Sequence, residues 1–364
     1  MNRQVDFLIV GAGLTGAVCA RILVDAGCSV LVVERRSDVG GNVHDHVHAS
    51  GIRVHTYGPH YFRTVSDEVW TFVNRFTSFM PYEARVKAHV GDEYVNWPLG
   101  ASYIRKVIGN AWRPEFAGIP GNFEEAAISL MPRKIYELFV KEYNEKQWGV
   151  PATDLETDLC KRFDVRHDDD PRLTPQAKYQ GLPSEGYTRM IERMLDGIPV
   201  EVGVDYLKNR DVLRGRKMTV YTGAIDAFFD NSMGDLQYRG QRRLTEHLSE
   251  VSRFQEVAQV NEPLHANGPH IRTIEWKHMM SPAERNGVAG TVVTREIPFS
   301  PVSADQFEYP FPDKRNRDLY GKYRAAADRL GDVVICGRLG EYRYYDMDHA
   351  IARSLELSRS LLRG

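Results

Sequence analysis

Consecutive apolar residues in Asp6-Phe7-Leu8-Ile9-Val10 read as a buried strand, and the run Gly11-Ala12-Gly13-Leu14-Thr15-Gly16 follows directly. A helical pattern then continues to a stop signal at Gly27, and a second apolar strand ends at the acidic Glu34. The stretch Val5 to Glu34 therefore predicts a β-α-β unit. From Leu99 to about Lys178 the pattern turns helical, with Pro132 placed to start a helix that carries Ile135, Leu138, Phe139 and Tyr143. Residues from about Gln237 to Phe307 read mostly as strands and turns, as in Gly290-Thr291-Val292-Val293-Thr294. The tail repeats the opening pattern. A short buried strand at Asp332-Val333-Val334-Ile335-Cys336 leads to a glycine turn at Gly337-Arg338-Leu339-Gly340, and an amphipathic helix runs from Asp348 with Ile351, Leu355 and Leu362 on its apolar side.

The glycine run carries specific chemistry. Gly11 permits a tight turn, Gly13 lets backbone approach a pyrophosphate at the positive end of the helix, Gly16 allows close helix packing, and Glu34 is placed to accept ribose hydroxyls. Gly40-Gly41-Asn42 offers a second close backbone approach soon afterwards. A strand, turn and helix recurring at the far end imply a discontinuous cofactor domain, the build of two-dinucleotide-fold flavoproteins, which favours FAD over NAD.

At 364 residues the chain should divide into two or three domains. Apolar residues at 42% and charged residues at 26% describe a globular protein, with no apolar run of membrane-spanning length. The first strand begins almost at the N-terminus, leaving no room for a signal peptide, so a cytoplasmic location is expected. Cys19, Cys28, Cys160 and Cys336 are far apart and read as reduced, packed thiols. His44, His46 and His48 alternate in a strand or loop, yet no carboxylate or cysteine set accompanies them, and no metal is expected. A net charge of −2 gives no reason to expect nucleic-acid or membrane binding.

Several further motifs join these: Tyr57-Gly58-Pro59-His60, Glu145-Lys146-Gln147-Trp148-Gly149, Tyr179-Gln180-Gly181-Leu182-Pro183, Val220-Tyr221-Thr222-Gly223, Tyr238-Arg239, Ile274-Glu275-Trp276-Lys277-His278 and Gly337 to Met347. Together they resemble the flavin-dependent UDP-galactopyranose mutases over essentially the whole chain. The resemblance implies an α/β fold: a discontinuous Rossmann-like FAD-binding domain with an inserted helical domain and an antiparallel β-sheet domain. The corresponding boundaries are 1–78, 182–230 and 331–364 for the first, 98–181 for the helical part, and 79–97 with 231–330 for the sheet. It also implies interconversion of pyranose and furanose forms of a nucleotide-linked hexose, by covalent catalysis through N5 of reduced FAD and with no net redox change. NAD(P)H as reductant, a homodimer and a role in cell-surface polysaccharide synthesis come with it.

The resemblance assigns Gly11, Gly13, Leu14, Gly16, Glu34, Arg35, Gly41, Asn42, His60, Arg338 and Met347 to the cofactor. Arg162 and Arg239 align with the arginines that meet the leaving pyrophosphate, Arg272 is a third phosphate candidate, and His60 sits near the flavin ring. Phe139 and Tyr143 become the platform for the base, with Trp148 beside the sugar and Tyr309, Tyr344 and Asp346 on the diphosphate or sugar. Read from the residues alone, Phe139 and Tyr143 equally describe a core stripe and His60 a satisfied structural histidine. The chain departs from the family at Asp168-Asp169-Asp170-Pro171-Arg172-Leu173-Thr174-Pro175, where a tyrosine is missing and a solvated loop tip is expected. Met80 to Val86 lacks a family asparagine, and Pro59 replaces a small residue. UDP-galactose is the leading substrate and a dTDP-linked galactose or deoxyhexose the alternative. An amine-oxidase-type FAD oxidoreductase and an inactive sugar-nucleotide binder are the competing classes, and Arg162, Arg239 and Arg272 suit an anionic diphosphate better than an uncharged amine.

Overall fold

A computed structural model describes residues 4–110, 113–162 and 166–363, the side chains of Lys161 and Arg162 excepted. Strand β1 (Val5–Val10) lies at the centre of a five-stranded parallel sheet, flanked on one side by β2 (Val30–Glu34) and Val200–Val202 and on the other by Gly215–Tyr221 and Val333–Ile335. Strands covered on both faces need the near-continuous apolar runs seen in the sequence. Phe7, Ile9 and Val32 pack on helix α1 (Leu14–Asp25) and on Ile351 and Leu355 of the last helix, Met347–Arg363. Leu8, Val10 and Val33 face the opposite way, onto Leu319 and Tyr323. The expected β-α-β unit is present, and its sheet is closed by the C-terminal strand.

The glycines act through contact. A Cβ on Gly16 would lie 1.9 Å from the carbonyl oxygen of Gly11, so only glycine lets α1 pass that close. One on Gly41 would lie 2.8 Å from Gly13 Cα, and Gly40 N–H donates to Ala12 O at 2.9 Å, so the two glycine loops pack directly on each other.

A second sheet of seven strands has the order Tyr309–Pro310, Tyr238–Leu248, Thr291–Phe299, Arg272–Glu275, Gln259–Asn261, Val86–Val90, Glu93–Trp97. It is antiparallel except where Gln259–Asn261 meets Val86–Val90, a parallel junction created because that strand pair arrives from a distant part of the chain. The helical stretch includes Ala101–Ile108, Phe123–Leu130 and a run from 133 to 148 whose middle, Glu137–Lys141, is π-helical. Strand Tyr179–Pro183 pairs with both Phe62–Thr64 and Phe79–Met80.

Three local expectations are refined. Gly337–Gly340, expected as a glycine turn, forms a single helical turn just after strand Val333–Ile335. The three histidines do not form one cluster: His44 and His46 share Thr56 Oγ1 at 2.7 and 3.2 Å, whereas His48 turns to Ser50 and rests on His247. Asp168 to Asp170 lie in a loop with Asp168 and Asp169 exposed, as expected, but the loop is tied down. Asp168 O accepts from Ala101 N–H at 2.8 Å, Asp169 accepts from the Ser102 amide and hydroxyl at 2.8 and 2.5 Å, and Asp170 holds Arg172 at 2.6 Å. The acidic run satisfies orphan donors at the start of helix Ala101–Ile108. All four cysteines are unbridged, with Cys19, Cys160 and Cys336 buried. Among the described residues no helix is long and apolar enough to cross a membrane.

Candidate active site

Three adjacent cavity sections share wall residues across the molecule. The first lies over the N-terminus of α1 and is lined by Gly11, Gly13, Leu14, Glu34, Arg35, Gly41, Asn42, Arg338 and Met347, while Gly16 sits behind this wall as a packing residue. The buried Glu34 carboxylate accepts one backbone hydrogen bond per oxygen, from Ala12 at 2.7 Å and Arg36 at 2.9 Å, which leaves lone pairs for hydroxyl donors. Arg35 pairs outward with Asp305 at 2.8 Å. Its neighbour Arg36, which no motif marks, lies 4.5 Å over the Tyr57 ring and donates to Asn42 Oδ1.

The middle section shares Asn42, Arg338 and Met347 with the first and adds His60, Arg63, Arg272, Tyr309, Tyr344 and Asp346. Tyr309 and Tyr344 stack with centroids 6.1 Å apart, and the Arg338 guanidinium lies 5.5 and 5.3 Å from their centroids. Asp346 accepts from Tyr344 at 3.1 Å and pairs with Arg63 at 3.0 Å. Asp346, Asp348 and His349 come within 4.8 Å of one another, but both Asp346 oxygens already have partners. His60 donates its backbone N–H to His55 Nδ1 at 3.1 Å, and its own Nδ1 is buried with no protein partner. Burial, with His55, Arg338 and Arg243 adding like charge, holds the His60 imidazole well below its ordinary pKa, so the ring is neutral.

Arg272 belongs to a buried chain of charges. It donates to Glu296 Oε2, Glu296 Oε1 accepts from Arg243 at 2.8 Å, and Arg243 reaches Glu308 at 2.8 Å. Burial alone would raise the Glu296 carboxyl, but Arg272 and Arg243 together hold its pKa below the ordinary value. Gly58 explains the glycine of the Tyr57-Gly58-Pro59-His60 motif: at φ +93° its missing Cβ would stand 2.6 Å from Glu296 Oε1 and 3.2 Å from Arg272 Nη2.

The third section shares Leu173, Gln259, Arg272 and Tyr309 with the middle one and adds Phe139, Tyr143 and Trp148, with Trp97, Asn144, Gln147 and Asn261. Phe139 is at once core and wall, 3% exposed and 6.1 Å from the Trp97 ring. Leu173 comes from the divergent segment and is held by Ala84 O at 2.9 Å. Its position puts an apolar side chain where the two sections join.

Arg239 is not part of these walls. It is 5% exposed and donates to Gln147 O at 2.7 Å, Lys146 O at 3.2 Å and Ser300 Oγ at 2.5 Å, so it caps the end of helix Glu142–Trp148. Burial lowers its pKa, and among the described residues no carboxylate pairs with it. The Arg162 side chain lies outside the described residues. Arg63, Arg243 and Glu296 carried no sequence signal, because each enters the site through strand pairing with distant segments, and Arg36 carried none because its contacts with Tyr57, Asn42 and Asp305 O are made by segments outside the strands.

The family described as UDP-galactopyranose mutase matches residues 138–344, and a NAD(P)-binding Rossmann-like domain matches residues 9–76. A probable UDP-galactopyranose mutase of Klebsiella pneumoniae is 33% identical across 100% of this chain and 96% of its own. The chain belongs to the UDP-galactopyranose mutase family. It is accordingly an enzyme of the isomerase class. Within that family the likeness extends to the dTDP-fucopyranose mutase of Escherichia coli, 30% identical over 98% of each chain. A crystal structure of reduced UDP-galactopyranose mutase superposes with a TM-score of 0.73 at 15% identity, covering 99% of this chain and 94% of that one. A putative protoporphyrinogen oxidase from Exiguobacterium shares the fold at a TM-score of 0.60 and 11% identity.

Proposed function

We propose that this mutase interconverts pyranose and furanose forms of a nucleotide-linked hexose, with FAD along the section over α1 and the nucleotide sugar entering from the aromatic section. The observation that carries the reading is the adjacency of three cavities: the one over α1 and the aromatic one each share wall residues with a middle cavity lined by His60, Arg272, Tyr309 and Tyr344. The cofactor domain is then assembled from 1–78, 182–230 and 331–364 around the parallel sheet.

The residues fit FAD. The Gly13 and Gly41 backbones leave a side-chain-free cradle at the α1 N-terminus, Glu34 retains acceptor capacity, and the orphan His60 Nδ1 needs a partner. When bound and reduced, flavin supplies a nucleophilic nitrogen for the anomeric carbon. The protein's share is charge and orientation. Arg338 faces only carbonyl and ring partners among the described residues, so its charge is not neutralised by a carboxylate and favours a departing pyrophosphate, whereas Arg239, behind the walls as a helix cap, contributes charge at a distance and no contact. Arg272 borders both sections, where the diphosphate must lie, and Arg162 joins the same group through its family alignment. Phe139, Tyr143 and Trp148 stack on the base and sugar, and Asp346 with the two tyrosines receives sugar hydroxyls.

UDP-galactose is the leading substrate. A dTDP-linked deoxyhexose is the second reading, favoured by Leu173, which sets an apolar group at the junction in the segment where the family often has tyrosine. A cytoplasmic homodimer using NAD(P)H to reduce its flavin completes the proposal. The test is to purify the protein, record the flavin spectrum, reduce it with dithionite, and assay furanose product from UDP-galactopyranose and from dTDP-linked galactose and fucose. Absence of turnover with every nucleotide hexose, together with oxygen-dependent amine oxidation, overturns the proposal in favour of an oxidase.

A further inference from the structure

The helix that carries Tyr143, Asn144, Gln147 and Trp148 into the aromatic section also carries Lys146, which points the other way. Lys146 is 8% exposed, and its Nζ lies 2.5 Å from Glu262 O, 3.0 Å from Leu264 O, 3.2 Å from Gly268 O and 2.9 Å from His270 O. An ammonium has three protons, so four carbonyls in range form a cage around a point charge, like the carbonyl rings that coordinate small cations. All four belong to the loop between strands Gln259–Asn261 and Arg272–Glu275, and this loop with its strand ends supplies the opposite wall of the section: Gln259, Asn261, Pro263, Ile271 and Arg272. Glu142, one helical turn earlier, accepts from His265 N–H at 2.5 Å, and the Glu262 carboxylate binds His89 and Asn267, both at 2.9 Å. The loop is thus fastened on two sides, and the ammonium is its central tie.

We infer that Lys146 is a positioning residue that sets the separation of the two walls of the nucleotide section, acting as a tethered cation in a backbone-carbonyl cage. This rests on the reading of that section as the nucleotide site. A neutral side chain removes the shared donor from four converging carbonyls, of which only Leu264 O keeps a backbone partner among the described bonds, Asn267 N–H at 3.1 Å, and the loop relaxes away from the helix. The base and diphosphate then meet a wider slot, so affinity suffers while the reacting atoms, held from the cofactor side, do not. The planar guanidinium of arginine does not fit a cage built for a compact ammonium.

The experiment compares wild type with Lys146→Met, which keeps the aliphatic stem, and Lys146→Ala, which empties the cage. Expected are a tenfold or greater loss of UDP affinity by calorimetry, a matching rise in KM with kcat within about threefold, and faster amide exchange across 262–270 in both variants. Propylammonium chloride should restore UDP affinity to Lys146→Ala, and tetramethylammonium chloride at equal ionic strength should not. Unchanged UDP affinity in Lys146→Met despite faster exchange, or a fall in kcat at saturation equal to the fall in kcat/KM, overturns the inference. Failure of wild type to bind UDP or dTDP overturns the nucleotide reading instead, and amide exchange across 262–270 still reports whether Lys146 ties the walls.

Discussion

Gly58 is the residue on which the charge chain of the middle section depends, and it makes two demands at once: a positive φ and no side chain. Gly58→Ala should cost roughly 1–3 kcal/mol and lower the melting temperature, because it strains the backbone against Glu296 and Arg272. Arg272→Lys keeps a charge for Glu296 but loses the fork, and turnover should fall roughly a hundredfold with little change in thermal midpoint. Wild-type turnover in that variant would remove Arg272 from the diphosphate site. The buried histidines set a pH dependence. Burial, opposed by the Asp45 carboxylate and aided by Arg53 and His46, holds His55 down to about 4 from 6.5, and burial moves His60 in the same direction. Unfolded imidazoles bind protons below about 6.5 while the folded ones resist, so the unfolded state holds more protons and stability falls from pH 6.5 toward 4. Melting temperatures across that window should drop, with a shallower slope in His55→Gln. The fingerprint glycines were legible because their chemistry is local to one turn. Glu296 and Arg63 were not, since an acidic or basic residue on a strand gains its meaning from the partner strand's register.

At the scale of elements, apolar spacing predicted the helix after Pro132 but not its π-helical middle. One extra residue per turn alters hydrogen bonding without altering composition, and it shifts the phase of Tyr143 relative to Phe139 while leaving both on the wall of the aromatic section. The divergent acidic segment was legible as a departure and as a solvated loop, but its ties were not, because their partners are the first amides of a helix some sixty-seven positions away. Asp169→Ala should therefore speed amide exchange at Ser102 and lower the melting temperature, and unchanged exchange would show that the tie is dispensable.

For the whole molecule, the discontinuous architecture was legible from the repeated strand, turn and helix pattern, whereas the parallel junction in the second sheet was not, since it joins segments with no common signal. Ligand linkage is the matching prediction. FAD added to apoprotein at a hundred times its dissociation constant should stabilise it by about 2.7 kcal/mol, read as a rise in melting temperature, and an absent shift would argue against the cradle over α1. The position of Val333–Ile335 joins distant parts of the chain. The strand beside Gly215–Tyr221, the Arg338 and Met347 walls, and the helix covering α1 are all supplied by residues 333–363. Residues 5–221 alone therefore leave the sheet edge at Gly215–Tyr221 and one side of α1 uncovered, so removal of 333–363 should open both to solvent.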